Sequence, residues 1–97
     1  MTNPYATTGY TYKHIAAGQA TTAVKAAPGV LVAIVYNAAA TANNVTTIYD
    51  NPSTSGTVIG IAAAPAQGTV YYNAEFLNGL TIITSTANGA DMTVIYV

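Results

Sequence analysis

A single all-β domain, an antiparallel β-sandwich or jelly roll of about eight short strands, is the fold that this sequence predicts. Three observations predict it. Val, Ile, Thr and Tyr fill short runs along the chain, and these residues suit a pleated, half-buried surface. Gly, Pro, Asn and clusters of small residues interrupt the runs about every 8 to 12 residues, the turn spacing of sandwiches. No segment carries an apolar stripe of helical period. With 97 residues and no break in composition, the chain has room for one core. Met1 to Gly9 reads as a flexible N-terminal arm, Thr-rich, with Pro4 and little to bury beyond Tyr5. Tyr10 to Val97 reads as the sandwich.

The strands follow in order. The first is Tyr10 to Ile15 and the second Thr21 to Ala26. Ala27-Pro28-Gly29 marks the start of a third, Val30 to Asn37. Strict alternation places Val30, Val32, Ile34 and Tyr36 on one of its faces and Leu31, Ala33 and Val35 on the other. Both faces are apolar, so the strand is expected to lie centrally or under another subunit. Ala38 to Ala40 and Ala62 to Ala64 are too short for helices and read as loops or strand ends. The fourth strand, Val45 to Asp50, and the fifth, Thr57 to Ala62, flank Asp50-Asn51-Pro52-Ser53-Thr54-Ser55-Gly56. Asx-turn formers, a φ-fixing Pro and a permissive Gly suit that segment to a hairpin loop opened by Asp50. The sixth strand is Thr69 to Asn73, and Asn78-Gly79 precedes the seventh, Leu80 to Ser85. Asn88-Gly89, within Ser85 to Ala90, predicts a hairpin closed by Asp91 into the last strand, Asp91 to Val97. In that strand Met92, Val94 and Tyr96 oppose Thr93, Ile95 and Val97.

Charge is scarce. Lys13, Lys25, Asp50, Glu75 and Asp91 are the only charged residues, 5% of the chain, against roughly 25% in ordinary soluble domains. A folded chain of 9.9 kDa exposes on the order of 5,200 Å², and a surface so poor in charge favours self-association. There is no Cys for disulfides and too little His or acid for a structural zinc site, which leaves oligomerisation as the support for a small core. Much of the surface is therefore expected to be interface. Met1 to Gly18 has no apolar run of signal-peptide length, and Val30 to Tyr36, the longest apolar stretch, is too short to span a bilayer. The expectation is synthesis in the cytoplasm without general secretion.

The same composition argues against catalysis and cofactors. His14 is the only imidazole, and a nucleophilic triad would need it beside Asp91 and Ser85, for example; beside Lys13 it reads as a surface residue. A carboxylate pair for glycoside hydrolysis would have to come from Asp50, Glu75 and Asp91, two of which read as turn residues. No His/Cys cluster or calcium loop is present, and Gly56 and Gly60 make a GxxxG spacing that carries no meaning in a strand. Two Lys, no Arg and a net charge of -1 cannot neutralise several phosphates, which argues against nucleic acid. Asn44-Val45-Thr46 matches a glycosylation acceptor but reads as an accident without a signal peptide.

Tyrosine is the residue type that points to contact, with eight copies. Tyr71 and Tyr72 are adjacent in one strand and must face opposite sides, so one is expected at the surface. Tyr5, Tyr10, Tyr12, Tyr71 and Tyr72 are the candidate interface residues, the first as an anchor on the arm.

From Ala27 onward, "APGVLVAIVYNAAA", "VTTIYDNPSTSGTVIG", "GTVYYNAEFLNGLTIITS" and "NGADMTVIYV" resemble small β-sandwich structural proteins of tailed bacteriophages, over roughly the last 70 residues. The most telling parts are Ile48-Tyr49-Asp50-Asn51 followed by Gly56-Thr57-Val58-Ile59, and Gly79 to Ile82 leading to the closing segment. These are packing and turn signatures. The resemblance implies a head decoration or cement protein on the outer capsid surface of the virion, with the major capsid protein and its own copies as partners. A homotrimer on capsid three-fold sites follows from symmetry matching. Two other classes remain open. A tail or fibre module would grip glycans through Tyr71 or Tyr72 and the loops near Asn43 and Asn51, and a small hydrolase would need His14.

Overall fold

The computed structural model describes residues 9–40, 44–53, 55–84 and 89–97. Eight strands form and no helix occurs among these residues. They are β1 (Thr11–Ile15), β2 (Thr21–Lys25), β3 (Gly29–Tyr36), β4 (Val45–Asp50), β5 (Thr57–Ala63), β6 (Gly68–Phe76), β7 (Leu80–Thr84) and β8 (Met92–Tyr96). One sheet has the order β1-β8-β3-β6 and the other β2-β7-β4-β5, with every pairing antiparallel. The chain thus changes sheet at every connection except β4 to β5, the pattern of an eight-stranded jelly roll. The predicted fold class holds, and each strand read from the sequence falls on an observed one.

Ile15, Leu31, Ile34, Tyr36, Ile48, Phe76, Leu80, Ile82, Met92 and Val94 form the buried core between the sheets. Every strand but β2 and β5 contributes one, and β5 packs its Ile59 and Ala62 against them. Gly60 lets β5 approach β6 closely, since a Cβ there would stand 2.8 Å from the Tyr72 ring. Burial, and then the neighbouring Tyr72 phenol, holds the Tyr36 hydroxyl well above the usual tyrosine pKa.

Three expectations are corrected. Strict alternation fails in β3, where Leu31 rather than Val32 shares the core with Ile34 and Tyr36. The register shifts between Leu31 and Ala33 against both neighbours, and such a bulge reverses the side-chain phase. Its counterpart on β6 includes Asn73, whose φ of 49° turns the chain without ending the strand; β6 runs on to Phe76, past the end at Asn73 that the sequence suggested. The second correction concerns the Asn88-Gly89 segment, whose residues 85–88 lie outside the described ones. It does not join a hairpin, because β7 pairs with β2 and β4 while β8 pairs with β1 and β3. Of the two hairpins read from turn chemistry, only β4–β5 is one.

The third correction moves Asp50 from its own turn to another. Its carboxylate accepts the backbone N–H groups of Leu77, at 3.0 Å, and Asn78, at 2.8 Å, in the β6–β7 connection. Asn51 makes the local Asx turn instead, accepting from Ser53 N–H and hydroxyl at 2.9 Å each.

Candidate interaction surface

Directly opposed residues in an antiparallel sheet share a face, so the registers assign the outer surfaces. Across the β1-β8-β3-β6 sheet, Tyr12, Ile95, Ala33 and Tyr71 form one outward row. His14, Thr93, Val35 and Thr69 form the next. Across the other sheet the outward rows are Thr21, Ile83, Thr47 and Ile61, then Ala23, Thr81, Tyr49 and Val58. None of these sixteen positions is Lys, Arg, Asp or Glu.

The largest apolar exposures fall at the sheet edges. Tyr71 is 72% exposed, Tyr12 71%, Tyr10 65% and Ile61 64%, with Val58 and Val70 also exposed. Tyr10 and Tyr12, with Thr11, Thr93 and Ile95, line an open groove of about 370 Å³ on the β1 side, walled almost wholly by apolar atoms. Exposed tyrosines of this kind offer apolar area with a polar tip, which suits them to protein contacts.

The charges are held in the fold or stand at its edges. Asp91 accepts from Asn37 Nδ2 at 2.8 Å and from His14 Nε2–H at 2.9 and 3.0 Å. The Asn37 amide first, then His14, hold its pKa below the usual carboxylate value. The backbone donors of Leu77 and Asn78 lower Asp50 in the same way. Lys25 Nζ donates to the Val97 carbonyl at 3.1 Å, beside the reciprocal backbone bonds of Val30 and Val97. Lys13, on edge strand β1, and Glu75, on edge strand β6, are exposed.

Among the predicted interface residues, Tyr10, Tyr12 and Tyr71 are on the surface, and Tyr72 is half-buried against the core. The expectation that one of the adjacent pair faces outward is met by Tyr71. Tyr5 and most of the Met1 to Gly9 arm lie outside the described residues. The sequence reading did not single out Ile61 and Val58, because their exposure depends on β5 becoming an edge strand. His14 does sit beside Asp91, but among the described residues it hydrogen-bonds to Asp91 alone, and Ser85 lies outside them. No group of three or more His, Cys, Asp or Glu that would hold a metal occurs among the described residues. Asn44 is buried, which removes it as a glycan acceptor in the folded chain.

No family model and no curated protein matches this sequence. Among solved structures, the chain is similar to the Drosophila NLP core, a structure that bears on pentamer formation and histone binding. The two share 14% identity at a TM-score of 0.58, over 91% of this chain and 96% of that one. This likeness is one of fold, in agreement with the sandwich described above.

Proposed function

We propose that this chain is a structural virion protein without catalytic activity, a decoration or cement protein that binds the outer surface of a phage head and stabilises it. The observation that carries the reading is a small sandwich whose outer faces hold no Lys, Arg, Asp or Glu across four paired rows, Glu75 opposite Val30 being the charge at the end of one sheet. Such faces stabilise a protein that is covered by partners over a large area and burden one that stays alone in water. The carboxylates Asp50 and Asp91 are engaged in loop and strand contacts, which supports a structural use of them. The major capsid protein and other copies of the chain are the proposed partners, with a homotrimer as the copy-to-copy unit; neither nucleic acid nor membrane is among them. The resemblance to phage β-sandwich proteins supplies the setting. The histone binding of the Drosophila protein is not carried over, because a basic partner calls for acidic surface and this chain has three acidic residues.

Quantitative mass spectrometry of gradient-purified particles tests the proposal by counting copies relative to the major shell protein. Hundreds of copies per particle are expected, because only an icosahedral shell offers so many equivalent sites; none would overturn the reading. A second reading, a tail or fibre module that binds glycans, is favoured by the exposure of Tyr71. It predicts about a dozen copies and glycan-array binding that disappears in Tyr71→Ala.

A further inference from the structure

We propose that two copies of this chain pair face to face through the outer surface of the β1-β8-β3-β6 sheet, about a two-fold axis that runs along the strands between β8 and β3. The inference rests on the self-association part of the proposed function; the three-fold unit on the shell is a separate contact.

A single row carries the argument. Tyr12, Ile95, Ala33 and Tyr71 lie level across that face, with Tyr12 on edge strand β1 and Tyr71 on edge strand β6. The groove that Tyr10 and Tyr12 line with Thr93 and Ile95 is therefore at one end of the row. At the other end stands Tyr71, the most exposed of the large apolar residues at 72%. Three strand spacings, about 14 Å, separate the two ends. A two-fold axis midway between them turns β1 over the partner's β6 and β8 over the partner's β3. Each Tyr71 then enters the other copy's groove beside Tyr12, and each Ile95 comes to lie over the partner's small Ala33. A two-fold across the strands would instead set Tyr71 on Tyr71 and groove on groove, leaving both grooves unfilled.

The neighbouring rows agree with this axis. On one side His14 and Thr93 face the partner's Thr69 and Val35. On the other side Tyr10 is level with Val97, which exchanges backbone hydrogen bonds with Val30, and Val30 is level with Glu75. Val97 there faces the partner's Val30, and the Tyr10 phenol faces the partner's Glu75, to whose carboxylate it can donate. No like charges meet, and the polar groups fall at the corners of an apolar centre, as in specific interfaces. Rotation about an axis along the strands also brings together two twisted sheets of matching curvature, the aligned packing of sandwiches. The other sheet lacks this self-complementarity. Its exposed Val58 and Ile61 both stand on edge strand β5, and the same operation would set them against the small Ala23 and Thr21. The paired face covers on the order of 400 Å² per copy if taken as flat, and more with its side-chain relief. Two copies thus reach the low end of specific interfaces, about 1,000 Å² in total, which suits a dimer formed at micromolar concentration.

The test uses the full chain, by analytical ultracentrifugation and native mass spectrometry. The wild type is expected to be a dimer at micromolar concentration. Tyr71→Arg is expected to be monomeric with an unchanged far-UV spectrum, while Ile61→Arg, on the other sheet, stays dimeric. A wild type that is monomeric or trimeric, a Tyr71→Arg variant of wild-type size, or a dimer that Ile61→Arg breaks overturns the proposal. The axis is read by cross-linking, since the chain has no Cys of its own. Thr69→Cys and His14→Cys proteins, mixed in equal amounts, are expected to couple to each other through a short bismaleimide and neither to couple to itself, because like positions lie about 14 Å apart across the pair. Coupling of like variants in place of the mixed pair overturns the proposal, and this readout holds even where an arginine variant fails to fold. Failure of the pairing leaves the particle count untouched, and absence from particles leaves the pairing untouched.

Discussion

The inner and outer faces of the same strands differ less in composition than in what touches them. On β8, Met92 and Val94 point inward and are fully buried, while Thr93 and Ile95 point outward beside the Tyr12 groove. On β4, Ile48 is sealed in the core while Thr47 lies in the outward row with Ile61 and Ile83. A half-solvated sheet would show polar residues on the second side. Here the outer side is apolar or hydroxylated apart from His14 and Glu75, so hydropathy alone does not tell inside from outside. The physical distinction is that inner residues hold the chain's own fold, whereas the outer ones, apart from the covered Ala33 and Thr81, are available to a partner.

That distinction yields predictions that shrink as the substituted group moves outward. Phe76→Ala empties the buried end of the core beside Gly29 and is expected to cost about 3–5 kcal/mol, with Ile82→Ala at about 2–5 kcal/mol, read from denaturant midpoints at constant m-value. Gly60→Val forces the Tyr72 ring away from β5 and is expected to cost about 1–3 kcal/mol by overpacking. A thermal melt that leaves Gly60→Val at the wild-type Tm would show that the sheets are less tightly apposed there.

The carboxylates give a smaller, pH-dependent effect. Asp50 and Asp91 both have native pKa values below the ordinary 3.8, so their stabilising contribution is complete above that value and is lost as pH falls through it toward the lowered native values. Melting temperature is therefore expected to be flat from neutral pH down to about 5 and to drop below about 4. Asp50→Asn should lower the neutral Tm by a few degrees and flatten the acid limb, since the amide keeps one acceptor but loses the charge that Leu77 and Asn78 share. An unchanged acid limb in the Asp50→Asn, Asp91→Asn double variant would assign acid sensitivity to other groups.

Smallest of all is the expected stability change on the outside. Ile61→Ser and Tyr71→Ser should stay within about 0.5 kcal/mol of wild type by denaturant unfolding of the monomer, while Tyr71→Ser reduces self-association in sedimentation and Ile61→Ser does not. A large loss of monomer stability in either variant would mean that the outer face supports the fold itself.

Several parts of this arrangement are legible in the residues. β-branched and aromatic runs, bounded by Gly, Pro and Asn, mark all eight strands, because side-chain crowding and turn conformations act over a few neighbouring residues. The Asn51 Asx turn and the β4–β5 hairpin are local for the same reason. The phase of β3 is not legible, because its bulge arises from fitting one strand between two neighbours of different register. Nor is the destination of Asp50, whose acceptors are met by a loop 27 residues further along.

The scarcity of charge, the all-β architecture and the abundance of tyrosine were determined by the sequence itself, since each depends on residue identity and near neighbours. Tertiary structure alone decided that β7 and β8 part into different sheets, that Tyr72 turns inward while Tyr71 turns out, and that Lys13 and Glu75 stand on opposite edges. Those outcomes depend on which distant strands pair, and pairing is chosen by how the whole core closes.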